Sequence, residues 1–211
     1  MITVVGTLKG GTGKSTVSFN LSVWLASHDF KVQVFDLDPQ QTLVDVIAIR
    51  NEEGYKPPLS VTTDIKKLKR KKGYQTIVDV GTADISALKE AVKKADRVII
   101  PVPPSQADVW STQRFLAIVE GVMENKKTPE LLAFVNRADT NPSVRETIET
   151  QDALKQLPGM KVVMARLGHR TVFRRSFSEG LAVFELEPRS KAATEMNALA
   201  TVLFSSLFIQ G

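Results

Sequence analysis

Residues 2–26, ITVVGTLKGGTGKSTVSFNLSVWLA, decide the fold. A short β-branched run (2–6) passes through a turn with glycines at 10, 11 and 13, and the stretch 15–28 after it reads as a helix. Outward from there the same alternation continues. Further strands are expected at KVQVFD (31–36), QTIVDV (75–80), RVIIPV (97–102), LLAFVN (131–136) and KVVMA (161–165), and further helices at 84–95, 108–125, 143–156 and 190–208. Short β-branched runs alternating with longer helical stretches argue for parallel strands joined by helices. Most of the runs are apolar throughout, as in strands covered on both faces. The expected fold is therefore α/β, a single doubly wound, mostly parallel sheet with helices on both faces, residues 1–211 forming one domain. In 108–125, Val109, Leu116, Val119 and Met123 recur at helical spacing, with Asp108 expected as N-cap. NEEGYKPP (51–58) reads as an exposed loop.

Composition narrows the chemistry. At 211 residues and 43 % hydrophobic content, the chain can bury one α/β core. With no Cys, disulfides, iron–sulfur ligation and thiol catalysis are excluded, and His28 and His169 are too few for a histidine metal site. No segment approaches the roughly 20 apolar residues of a membrane-spanning helix, and no secretion signal is apparent, so a cytoplasmic location is expected. The net charge of +5 points to an anionic partner. It is unevenly spread: KKLKRKK (66–72) holds six basic residues in seven, 161–191 holds seven Lys or Arg against three Glu, and 192–211 holds none.

The turn after the first strand has the chemistry of a phosphate cradle. Gly10, Gly11 and Gly13 let backbone N–H groups turn inward around phosphate oxygens, and the following helix adds its N-terminal partial charge. Lys14 can reach β- and γ-phosphates, and the Ser15 hydroxyl can take a Mg²⁺ position. With Thr12 and Thr16, the loop is a candidate site for ATP and Mg²⁺. One position departs from the ordinary G-x-x-x-x-G-K-[ST] pattern: where Gly is asked for, the chain has Leu8, followed by Lys9.

Two acidic stretches complete the candidate site. In VQVFDLDPQQT (32–42), Asp36 and Asp38 fall at a strand's C-terminal end, where ligands of open α/β sheets gather. Two residues apart, they project on one side, so that one can face Mg²⁺ and the other a water. In YQTIVDVGTAD (74–84), Asp79 ends an apolar strand in the manner of a Walker B carboxylate that holds Mg²⁺, and Gly81 suits a backbone approaching the γ-phosphate.

Together, K-G-G-x-G-K-[ST] with D-x-D-P-Q resembles the deviant Walker A ATPases of the ParA/MinD family. The resemblance implies that Lys9 reaches across an ATP-sandwich homodimer to the partner's phosphates. It further implies that Asp38 positions the attacking water, Asp36 supports the Mg²⁺ region and Asn136 reads adenine. Iron–sulfur relatives need cysteines that are absent, and the tyrosine-rich tail of the kinases of this fold is missing. MinD ends in a basic amphipathic helix, whereas the last segment here has no Lys or Arg after Lys191, so packing on the domain rather than on a membrane is expected. HRTVFRRSFSEGLAVFE (169–185) is similar to the late segment of small ParA proteins. The opening strand leaves no expected room for an N-terminal DNA-binding domain.

The resemblance therefore implies an ATPase, slow alone, that binds DNA without sequence preference on the nucleoid. A ParB-like or cargo-adaptor protein would stimulate hydrolysis. The cargo would be a plasmid, a chromosome or a protein body such as a carboxysome. Arg166, Arg170, Arg174, Arg175, Arg189 and Lys191 are the candidate DNA contacts, with 66–72 as a second. Two alternatives stay open: a MinD-like membrane-surface ATPase, and a metabolic ligase that activates carboxylates with ATP.

Overall fold

The computed structural model describes residues 1–124, 126–141 and 143–208. Seven parallel strands form one sheet: β1 (Ile2–Val5), β2 (Lys31–Asp36), β3 (Val61–Thr62), β4 (Tyr74–Asp79), β5 (Arg97–Val102), β6 (Glu130–Val135) and β7 (Lys161–Val162). Their order is β3-β2-β4-β1-β5-β6-β7. The eight helices of the described residues are α1 (Lys14–Ser27), α2 (Thr42–Glu52), α3 (Ile85–Lys94), α4 (Gln106–Val122), α5 (Glu146–Lys155), α6 (Thr171–Ser178), α7 (Val183–Leu186) and α8 (Lys191–Phe204).

The two-residue alternation of a strand splits the core in two. Val4, Val78, Val98 and Ile100 point to one face and pack with Leu88, Ala91 and Val92 of α3 and Phe115 and Val119 of α4. Val5, Ile77, Ile99 and Phe134 point to the other and meet Val17 and Leu21 of α1 and Met196, Leu199 and Leu203 of α8. Helices on both faces explain why β5 is buried at all six positions. Register places the site: β2 pairs with β4 so that Asp36 lies opposite Asp79, and β1 pairs with β4 so that Val5 does. The two carboxylates thus reach the same sheet edge as the turn that follows β1.

The structure revises several local expectations. α2 has no counterpart among the expected helices; its run of Val and Ile disguises it, and its N-terminus is capped from a distance by Asp36. It extends through Glu52, so 51–58 is a loop only after that point. α4 begins at Gln106, and Ser105, not Asp108, caps it by accepting from the Asp108 N–H at 3.2 Å. Residue 125 of the expected helix 108–125 lies outside the described residues. α6 and α7 occupy the late segment, and the strand expected over 161–165 is only two residues long. α8 lays Met196, Leu199 and Leu203 against the sheet, while Phe208 beyond it meets Trp24, His28 and Phe30 edge-on. Residues 209–211 of the terminal segment lie outside the described residues.

Candidate nucleotide site

The turn between β1 and α1 is a cradle held from below. Gly11 and Gly13 adopt left-handed backbone, φ 73° and 88°. At Gly13 a Cβ would stand 2.5 Å from the Asn136 side-chain nitrogen, so only glycine fits. Asn136, at the end of β6, donates from Nδ2 to the Thr12 carbonyl at 2.6 Å. Thr7 ties the opposite side, donating to the Lys9 carbonyl at 2.9 Å and lying 3.2 Å from the Thr12 hydroxyl. Gly10 faces Thr82 at the margin of the loop. A turn fixed at both ends presents its N–H groups without reorganising, the arrangement that binds phosphate oxygens. Beside it lies a cavity of about 290 Å³ lined by Gly13, Thr16, Asn136, Arg137, Gly168 and Arg174 among others. Asn136 thus lies at the cavity, where its amide is engaged with the loop itself.

Lys14 turns inward and is 7 % exposed. Burial pushes its ammonium below the ordinary lysine range, while the Asp79 and Asp38 charges pull it back. Bound phosphate would strengthen that pull. Asp79 is 1 % exposed and accepts from the Ser15 hydroxyl at 2.6 Å and the Ser18 hydroxyl at 3.1 Å. Burial drives its carboxyl up to about 7, the serine bonds opposing and the neighbouring Asp36 charge adding to the rise. A buried carboxylate beside a hydroxyl is a donor set that suits Mg²⁺: two hard oxygens, with phosphate and water left to complete the shell. Ser15 and Asp79 would hold the ion, which supplies charge neutralisation at the phosphates.

Asp36 is placed differently. Its carboxylate accepts from the Leu43 and Val44 N–H groups at 2.9 and 3.1 Å and from Asp38 N–H at 3.1 Å. It caps α2, and burial raises its carboxyl above the usual range despite those bonds. Asp38 stands half-buried two residues further on. It accepts from Gln40 N–H at 2.9 Å, and its carboxyl rests on the Gly81 backbone, where a Cβ would come within 2.6 Å. Its charge acts on Lys14, as that of Asp79 does.

Lys9 is paired outside the cradle's own residues, with Asp108 of α4. Its ammonium is 2.8 Å from Asp108 Oδ2, and 44 % of its side chain is exposed. Asp108, expected only as a cap, is buried in the first turn of α4; Ser105 also donates to its Oδ2, and its Oδ1 has no protein partner among the described residues. The late basic residues divide. Arg170 is held by Glu195 at 2.7 Å and Arg175 by Glu187 at 2.5 Å. Arg166, Arg174, Arg189 and Lys191 are exposed and have no carboxylate within ion-pair distance among the described residues. Arg170 and Arg174 also line the nucleotide-side cavity. Trp110 is 52 % exposed.

The CobQ/CobB/MinD/ParA nucleotide binding domain, as a family pattern, matches residues 2–183. The chain belongs to that family. As a MinD/ParA-family member it is a nucleotide-binding ATPase. A relative of this chain is maintenance of carboxysome distribution protein A of Halothiobacillus neapolitanus, 27 % identical over 96 % of this chain and 95 % of that protein. Among solved structures, the fold is similar to apo McdA of Cyanothece, with a TM-score of 0.81, 18 % identity and coverage of 96 % and 98 %. It also matches the septum site-determining protein MinD of Pyrococcus horikoshii complexed with Mg-ADP, with a TM-score of 0.73, 21 % identity and coverage of 100 % and 98 %. Among the described residues of this MinD/ParA-family chain, no helix is long and apolar enough to cross a membrane.

Proposed function

We propose that the protein is a ParA-type positioning ATPase. Two copies close around ATP and Mg²⁺, the dimer holds nucleoid DNA without sequence preference, and a ParB-like or cargo-adaptor protein stimulates hydrolysis and release. One observation carries the reading: Lys14 is buried, whereas Lys9, five residues earlier, is part-exposed and paired with Asp108. A nucleotide served by one subunit needs only the buried cation. The second cation, part-exposed beside Asp108, would serve a phosphate brought by a second copy, offsetting charge developing on the transferred phosphoryl group. Asp38 orients the attacking water. The exposed cations Arg166, Arg174, Arg189 and Lys191 supply phosphate contacts, whereas Arg170 and Arg175 already serve carboxylates. Likeness to a carboxysome-distribution protein along nearly the whole chain supports a protein body as cargo.

The test combines three readouts on Lys9→Ala, Asp38→Ala and the parent chain: nucleotide affinity, oligomeric mass with and without ATP, and steady-state hydrolysis. Lys9→Ala should keep ATP affinity and lose hydrolysis or the dimer that supports it. Asp38→Ala should bind ATP and dimerise but hydrolyse poorly. A parent chain that hydrolyses ATP as a monomer overturns the reading. So does co-sedimentation with anionic liposomes but not with DNA, which would favour a MinD-like role.

A further inference from the structure

The charge of this protein is concentrated in one place that the nucleotide site does not use. Residues 64–74, DIKKLKRKKGY, hold six Lys or Arg against the single Asp64. The whole chain has 28 basic and 23 acidic residues, so the other 200 residues carry 22 of each and are neutral in sum. The segment leaves β3 beside Asp36 and Asp38, where Ile65 lines a cleft with both, and runs back along the α3 face to the start of β4 at the opposite sheet edge.

Packing fixes this segment and leaves its charges outside. Leu68 is 1 % exposed within the core of the α3 face, and Ile65 packs beside it. Lys94, at the end of α3, donates to the Ile65 carbonyl at 3.2 Å and brings a further ammonium to the same surface. Within the run, Arg70 alone has a carboxylate partner among the described residues, Asp96, and Lys71 lies over the Tyr74 ring. Lys66, Lys67, Lys69 and Lys72 are exposed with no carboxylate within ion-pair distance among the described residues.

The chemistry of the occupant follows from what the surface lacks. The exposed large apolar side chains of the described residues, Ile49, Ile85, Trp110, Ile148, Met164, Val202 and Phe208, all fall outside this run. A membrane interface wants aromatic or aliphatic groups to insert, and a protein partner wants buried anchors. A row of unpaired ammonium groups without either fits a uniformly charged polyanion, which gains from counterion release alone. We propose that this lysine-rich face is a DNA-contacting surface in its own right, holding the phosphate backbone of duplex DNA in the ATP-bound dimer. The proposal rests on the DNA-binding reading above, and it moves the main contact away from the late arginines.

The experiment is fluorescence anisotropy of a short random-sequence DNA duplex against the full chain, nucleotide-free and with Mg·ATP, across a salt series. Three variants are compared: Lys66, Lys67, Lys69 and Lys72 all →Gln; the same four →Arg; and Arg166, Arg174, Arg189 and Lys191 all →Gln. The parent with Mg·ATP should bind at low salt. The first variant should lower the slope of log affinity against log salt by about 3.6, at about 0.9 for each phosphate no longer neutralised. A rise from 50 to 200 mM salt would then cost it about 150-fold less affinity than the parent. The arginine variant should keep the parent slope. A slope unchanged in the first variant and lowered only in the third overturns this surface and leaves the DNA reading standing. If the parent binds no DNA in either nucleotide state, both fall. Loss of phosphatidylglycerol-vesicle binding in the first variant, with DNA binding intact, would reassign this face to a membrane and overturn the proposal.

Discussion

Replacing Asp79 by Asn in the nucleotide-free, magnesium-free protein measures what burying that carboxylate costs. The group is 1 % exposed, accepts two serine hydroxyls and is driven to about 7 from an ordinary value of 3.8. Because burial raises the pKa, the folded state holds a proton that the unfolded chain has released between those values. Stability contributed by the protonated form is therefore complete below pH 3.8 and is lost as pH climbs through 7. Each pH unit within the window costs about 1.36 kcal/mol, or about 4 kcal/mol over the whole window.

Asn at this position does not titrate. Its poorer match to the two serine hydroxyls adds an offset that is the same at every pH. The stability difference between the Asp79→Asn variant and the parent should accordingly widen in the variant's favour by about 3 kcal/mol between pH 5 and pH 8, nearly all of it below pH 7. Urea unfolding of both proteins in EDTA at pH 5, 6, 7 and 8 reads it directly. Adding Mg·ATP at pH 8 should stabilise the parent and do little for Asp79→Asn. A difference that stays constant with pH would refute the reasoning, since Asp79 would then be ionised in the folded protein without penalty.

Three further substitutions probe how the site is held. Gly81→Ala places a methyl within 2.6–2.9 Å of the Asp38 carboxyl atoms, so hydrolysis should fall, by up to about 100-fold for a displacement near 1 Å, with nucleotide affinity little changed. Equal losses in both kinetic and binding assays would show that Asp38 is not the group being moved. Asn136→Ala leaves the buried Thr12 carbonyl unpaired and should cost about 1–3 kcal/mol in urea unfolding, partly recovered by ATP. Arg50→Met removes a fully buried guanidinium that bridges Glu185 at 2.8 Å and the carbonyls of Pro57 and Gly180. It should destabilise by about 3–5 kcal/mol, and a loss below about 1 kcal/mol would mean that the methionine repacks the space.

How much of this is legible in the chain depends on the distance over which each feature is specified. The central strands are announced by their own residues: β5 is apolar along its length because both faces are covered, and the glycines at 11 and 13 announce left-handed backbone. The cradle and Lys14 can be read because spacing within one βαβ pattern constrains them, and Asp79 because it ends an apolar strand of its own. α2 cannot. Its β-branched residues favour strand, and its cap is a carboxylate six residues before its first residue, on another element. Lys9 stands out by local motif, yet its partner Asp108 is 99 positions away, and Asn136 meets the Thr12 carbonyl across 124. Those contacts depend on β5 lying next to β1 and β6 next to β5, and strand order is a property of the assembled sheet. The late arginines show the same limit from the other side. As sequence, all of them are equally basic; only packing shows that Arg170 and Arg175 are spent on Glu195 and Glu187, while the lysines of 66–72 are left exposed. Charge can therefore be counted from a sequence, but its availability to a partner is decided by which carboxylates the fold brings alongside.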